Sequence, residues 1–315
     1  MARDPRPPHA PDSTSTTPAE WPSQYVGADC ASQHAQRCHI RLQFSYLTSI
    51  VLAAIVSLAA VAFPNATSST SSVVSASILV IGLVLTSVSR ALRYDNLWSD
   101  CRAIAESTKT AAWKYIMRVA PFDDDDTAHK VYTQHLHEIR SSRPTVAALL
   151  GRYLPQDPHS ITTFMTNIRG MSFSRRREQY LLSRLRDQKQ WYSTSASTNS
   201  RRASHSFLAV VLLQATAVLY SISRISSASL TIDLVPLLMT LAASVIAWSN
   251  LKRYQELGHT YSCAAQELAD HETLAANVND ESTFIDIVSQ TEGIISREHT
   301  IWSIRRNSTV SPVPM

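Results

Sequence analysis

LQFSYLTSIVLAAIVSLAAVAF, residues Leu42–Phe63, and VVSASILVIGLVLTSVSRAL, residues Val73–Leu92, decide the fold of this chain. A second pair follows: SFLAVVLLQATAVLYSIS at Ser206–Ser223 and IDLVPLLMTLAASVIAWS at Ile232–Ser249. At 1.5 Å per residue, segments of about 18 to 22 residues reach across a hydrocarbon core of about 30 Å. Lys, Arg, Glu, Asp and His touch these segments only at their edges, Arg90 in one and Asp233 in another. One charge at a helix centre costs about 2.5–3.5 kcal/mol on insertion. Four such segments therefore predict an all-α integral membrane protein with two transmembrane helical hairpins.

The basic flanks orient the hairpins. Arg37 and Arg41 precede the first segment, and Arg90 and Arg93 close the second. Arg201 and Arg202 precede the third, and Lys252 and Arg253 follow the fourth. Within the hairpins, residues 64–72 carry no charge, and the other connection holds only Arg224 and Asp233. The positive-inside rule then predicts a multi-pass protein of the cell membrane with both termini and the long middle segment in the cytoplasm. Cys30, Cys38, Cys101 and Cys263 fall on that side, where thiols stay reduced.

The net charge of +4 forms no long basic stripe, so nucleic acid is not an expected partner; membrane lipid is. Six glycines in 315 residues leave little for sheets or phosphate-cradling loops. No secretory signal is visible, and the Pro/Ser/Thr-rich residues 1–24 read as a disordered tail. No P-loop, dinucleotide fingerprint, nucleophile elbow or metal signature occurs, so no cofactor and no enzymatic activity is expected.

The segments leaving each hairpin are amphipathic. Leu97, Cys101, Ile104, Thr108, Ala111 and Tyr115 alternate steps of four and three. Tyr254, Leu257, Tyr261, Ala264, Leu268, His271, Ala275 and Val278 do the same, as do Phe284, Val288, Thr291, Ile295, Glu298 and Trp302. Such spacing predicts a cytoplasmic amphipathic helix bundle. With neither Pro nor Gly from Leu83 to Ala120, the second segment is expected to run on as one helix. Arg93-Tyr94 with Ala105-Glu106 after the first hairpin, and Arg253-Tyr254 with Gln266-Glu267 after the second, read as an internal duplication.

Four passages carry a family resemblance: Ala28-Asp29 with Ser32 and Gln36; Trp98, Arg102, Ala105-Glu106 and Trp113; Tyr180, Arg184, Asp187-Gln188, Trp191-Tyr192 and Asn199; and Glu292, Glu298 and Trp302. In this order around two hairpins, they resemble a tandem of SLATT domains, the two-span membrane effectors of bacterial conflict systems. The resemblance implies a homo-oligomeric, pore-forming or membrane-disrupting effector of a defence system, switched on by a cytoplasmic nucleotide-signalling partner. A membrane scaffold that recruits a partner without a pore is the other reading. The expected organisation is a tail (1–24), a first two-span domain (25–120), a helical linker (121–173), a second two-span domain (174–306) and a tail (307–315).

Ser45, Ser49, Ala53 and Ser57 place small residues every four positions along the first segment, suited to close helix packing or to a pore lining. Ser75, Gly82 and Ser89 form a matching stripe on the second. Gln214, the most polar residue deep in the third segment, is a candidate to join helices or line a channel. Asp123–Asp126 precede a helix expected near Thr127, where acids meet its positive end.

Overall fold

The computed structural model describes residues 20–62, 68–226 and 232–308, and among these the side chains of all but 68, 69, 226 and 297–308. Every regular element among them is helical: α1 (Ser23–Ala62), α2 (Ser68–Leu92), α3 (Tyr94–Ile116), α4 (Ala128–Ser141), α5 (Pro144–Leu150), α6 (Thr163–Arg169), α7 (Phe173–Tyr180), α8 (Asp187–Ser226), α9 (Val235–Lys252), α10 (Tyr254–Asn277) and α11 (Glu281–Ser308). A π-helical turn, Leu181–Arg186, joins α7 to α8 without a break. Four helical stretches are long and apolar enough to cross a membrane, in agreement with two hairpins: Ser23–Ala62, Thr70–Ile116, Phe173–Ile225 and Val235–Asn277.

The chain divides into two compact units that do not follow its linear order. One, the polar bundle, takes residues up to 35, 95–197 and from 259 onward. The other, the apolar unit, takes 36–94 and 198–258. Continuous helices such as α1 and α8 contribute to both.

In the apolar unit, small residues let α1 and α2 approach closely. Ser49 and Ala53 are buried. A Cβ on Gly82 would stand 2.8 Å from the Ser49 hydroxyl, so the glycine permits the contact. Ser57 and Ser75 hydroxyls share a 3.0 Å hydrogen bond, and the Gln43 amide donates to Ser89 (3.1 Å). Ser45, the first member of the stripe, stays exposed. At the far end of the second hairpin, the Tyr220 hydroxyl donates to the Ile232 carbonyl. Arg224 pairs with Asp233 at 2.8 Å.

The expected uninterrupted helix after the second segment is broken at Arg93. Its φ of 44° is left-handed, and Arg253 repeats the break at 51° between α9 and α10. A non-glycine residue adopts this conformation at a steric cost, so neither break carries the glycine or proline that would mark it in sequence. Both fall on the Arg-Tyr pair of the duplication.

The polar bundle buries the periodic positions. Cys101, Ile104, Thr108, Ala111 and Tyr115 of α3 are each at most 1 % exposed. Ala264, Leu268 and Ala275 of α10 and Phe284, Val288, Thr291 and Ile295 of α11 are also buried. Of the residues expected in the tail, 21–24 pack into the bundle: α1 begins at Ser23, and Trp21 packs on Trp113 with ring centroids 5.6 Å apart. A large apolar ring removed from water repays the ordering of that segment. The expected linker, 121–173, likewise supplies Phe122, Tyr132, Met165 and Ile168 to the core. Pro64, whose ring would end a helix after the first apolar segment, lies outside the described residues.

Candidate functional site: a buried charge hub

The bundle's interior is charged where several of its helices meet. Glu292 of α11 has no exposed surface, and both of its oxygens are claimed twice. Arg184 donates from Nε to Oε1 (2.9 Å) and from Nη2 to Oε2 (2.7 Å). The Tyr180 hydroxyl donates to Oε1 (3.1 Å) and the Thr110 hydroxyl to Oε2 (3.1 Å). Parallel guanidinium–carboxylate bonds are among the strongest available to side chains. Burial opposes the charge on Arg184, but Glu292 holds the guanidinium protonated, above its ordinary value. The third nitrogen, Nη1, meets no acceptor among the described residues.

Local structure explains the placement. Arg184 sits inside the π-helical turn, which shifts the register of a helix by one residue and re-aims its side chains. Tyr180, at the preceding junction, stacks edge-on against Trp113 (5.6 Å) and Phe284 (5.9 Å), which fixes its hydroxyl toward Glu292. Next to Glu292, Thr291 donates to the Ile287 carbonyl and bonds His271 Nδ1 of α10 at 3.0 Å.

A second cluster lies between α1 and α3. Arg102 pairs with Glu106 one turn along α3 at 3.4 Å, and the Gln33 amide donates to Asp29 at 2.7 Å. Burial pushes the Asp29 carboxyl up to about 6; Arg102 opposes the shift and Glu106 adds to it. Lys109 lies over the Trp21 and Tyr25 rings at 5.1 and 5.3 Å. Burial pushes its ammonium down to about 7, reinforced by Arg184 and opposed by Glu106 and Asp187. Glu106 and Arg184 act on the same lysine, so the two clusters form one electrostatic neighbourhood.

On α8, Gln188 is buried, donates to Asp187 at 3.1 Å, and leaves its Oε1 without a partner among the described residues. Trp191, Tyr192 and Tyr261 form an aromatic triangle with centroids 5.0–5.5 Å apart. Ser32 donates to the carbonyl of Trp98 at 3.4 Å.

The hub thus unites Asp29, Arg102, Glu106, Arg184, Gln188 and Glu292 of the residues singled out in the sequence, with Trp191 and Tyr192 beside them. It does not gather all of them. Gln36 belongs to the apolar unit. Glu267 is exposed, one residue farther from its left-handed break than Glu106 is from Arg93, which turns it by about 100°. The side chains of Glu298 and Trp302 lie outside the described residues. Lys109 and Thr110 were missed. Their only sequence signal is position, each one step off the buried stripe of α3.

The acidic run behaves differently from a cap. No side chain caps α4 at Thr127. Asp124 instead accepts from the Asp126 amide (3.1 Å) and the Thr127 hydroxyl (2.7 Å). Asp125 is taken by Arg169 (2.5 Å) and Arg118 (3.3 Å), and Arg169 in turn stacks on Tyr115. A nearby pair of guanidinium groups outcompetes the partial charge of a helix end.

The carboxylates of Glu292, Glu106 and Asp29 are engaged by cations, hydroxyls or an amide, an arrangement suited to locking helices together. Comparison with known families bears on what is locked. Residues 22–177 match the model described as SMODS and SLOG-associating 2TM effector domain 3. Residues 180–302 match SMODS and SLOG-associating 2TM effector domain 1. No curated protein and no solved structure matches the chain. The junction of the matches falls at Tyr180, where the π turn begins, and the Arg184–Glu292 pair closes within the second of them. By these matches, the chain belongs to the SLATT family, carrying two SMODS and SLOG-associating 2TM effector domains in tandem.

Proposed function

We propose that this chain is a non-enzymatic, multi-pass membrane effector of a bacterial conflict system, with both termini and the polar bundle in the cytoplasm. A nucleotide-signalling partner of the SMODS or SLOG kind loosens the bundle, and the hairpins then oligomerise and open a pore or disrupt the membrane. The observation that carries this reading is the Glu292 hub. Its partners Arg184 and Tyr180 stand on the helical stretch that continues into the third apolar segment, and Thr110 stands on the helix following the second. A push on α11 would therefore reach both hairpins. The orientation is supported by the Arg224–Asp233 pair, which neutralises the one cation in a hairpin connection.

A pore-free scaffold is the second reading. It is favoured by the small-residue stripe: Ser49 and Ala53 are buried against α2, which interrupts that stripe as a lumen lining.

Expression of the chain together with its partner, followed by a potential-sensitive dye, separates the two. Depolarisation within minutes of triggering supports the effector. A steady potential with the inserted, triggered protein leaves the scaffold.

A further inference from the structure

Helix α8 carries an exposed seam at coiled-coil spacing. Phe207, Val211, Gln214, Val218, Ser221 and Ile225 follow one another in steps of four, three, four, three and four, and all six are exposed. This repeat keeps one stripe facing a partner helix along its whole length. Among the described residues, the rest of the apolar unit leaves the stripe uncovered, while Ala217, on another face, is buried.

Gln214 makes the seam more than an apolar face turned to lipid. It lies about 12 Å along the helix from Ser206, deep in the apolar segment. Other polar groups of this segment satisfy themselves: Thr216, Ser221 and Ser223 donate to the carbonyls of Leu212, Ala217 and Leu219 at 2.8–2.9 Å. The Gln214 amide has no hydrogen-bond partner among the described residues. A primary amide brings two donors and an acceptor. An acyl chain answers neither, and an unpaired amide in hydrocarbon is costly. A second copy of the same helix answers both. Copies inserted in the same sense place their Gln214 residues at one depth, and a two-fold axis along the membrane normal sets each donor against the other's acceptor. A polar residue at one interior seam position also fixes register.

We propose that α8 is a homodimerisation surface, in which two copies of this chain pack in parallel along Phe207–Ile225 and join amides at Gln214. This rests on the effector reading only for its use; the seam itself stands on exposure, spacing and the unanswered amide.

The test is disulfide trapping of the full chain in membranes, with Cys30, Cys38 and Cys263 replaced by alanine. Cysteines at Val211 and Val218 are expected to form covalent dimers under mild oxidation. Cysteines at Leu212 and Leu219, which are at least as exposed but lie about 120–140° around α8 from the centre of the seam, are not. In the Val218→Cys chain, Gln214→Leu is expected to weaken dimerisation by about threefold to twentyfold, and Gln214→Asn to preserve most of it. Equal trapping on both sides, no trapping at either seam position, or indifference to Gln214→Leu overturns the proposal. Membrane potential measured on the same strains keeps the claims apart. Triggered depolarisation without seam trapping sinks the seam alone, and seam trapping without depolarisation sinks the pore alone.

Discussion

Arg184 and Glu292, 108 residues apart in sequence, meet with side chains 1 % and 0 % exposed, so each neutralises a charge the other could not leave buried alone. Removing one partner of such a pair strands the other and costs about 3–5 kcal/mol, whereas replacing both with apolar groups is often close to neutral. Glu292→Gln and Arg184→Met are therefore each expected to lower the thermal midpoint steeply. The Arg184→Met/Glu292→Met double variant is expected to recover most of the loss. Thermal unfolding in detergent gives the double-mutant cycle, and additive single effects would show that the pair is uncoupled. If the hub restrains the effector, the single variants should also depolarise cells without a partner.

The pH dependence of the bundle follows from two groups. Asp29 binds its proton near 6 when folded and near 3.8 when unfolded. Between those values the folded chain holds more protons, so stability falls as pH rises from about 4 to about 6. Lys109 releases its proton near 7 when folded and near 10.5 when unfolded. There the unfolded chain holds more protons, so stability climbs as pH rises above 7. The bundle should be least stable near pH 6 to 7. Asp29→Asn is expected to abolish the acid limb and to gain about 1–2 kcal/mol at pH 7, after discounting for its partial exposure. Lys109→Met should abolish the alkaline limb. A flat profile of thermal midpoint between pH 4 and 10 in the parent chain contradicts both assignments.

Much of this architecture is legible in the sequence because its signals are local. Apolar length marks the hairpins, and steps of three and four mark the buried faces of α3, α10 and α11. The hub was legible only in part. Arg184 and Glu292 stand out as residues, but no periodicity says which acid in a chain with 25 acids meets which cation. That is settled by tertiary packing and by the π turn that re-aims Arg184. The breaks at Arg93 and Arg253 were illegible for a different reason: arginine is an ordinary helix former, and neither glycine nor proline stands at either position to mark a left-handed residue. Asp123–Asp126 misled because a capping pattern predicts nothing about Arg169 arriving from elsewhere in the chain.

Cysteine chemistry offers a direct reading of orientation. Cys30 and Cys263 are exposed and Cys101 is fully buried, its thiol pushed up to about 12, first by burial and then by Asp100. A thiol that is both covered and protonated reacts slowly. A membrane-impermeant maleimide should therefore label Cys30 and Cys263 in inverted vesicles, spare both in intact cells, and reach Cys101 only after unfolding. Labelling of Cys263 from outside the cell would reverse the proposed orientation.

Gly258 lets α10 approach α8 closely in the second repeat. A Cβ at this position would stand 2.8 Å from the Ser200 hydroxyl, 3.2 Å from its amide nitrogen and 3.5 Å from its Cα. The hydroxyl can rotate away, but the backbone of α8 cannot, so a side chain here forces α8 and α10 apart. Gly258→Val is expected to cost about 1–3 kcal/mol, as overpacking of close contacts does. Gly151 supplies the control, because nothing lies within 4 Å of its Cβ position and its φ of −54° suits any L-residue. Gly151→Ala is expected to be neutral or to gain up to about 1 kcal/mol by restricting the unfolded chain. Thermal midpoints of the two variants, measured side by side, decide the point. A Gly258→Val chain as stable as Gly151→Ala would mean that α8 and α10 do not approach as closely as Ser200 and Gly258 imply.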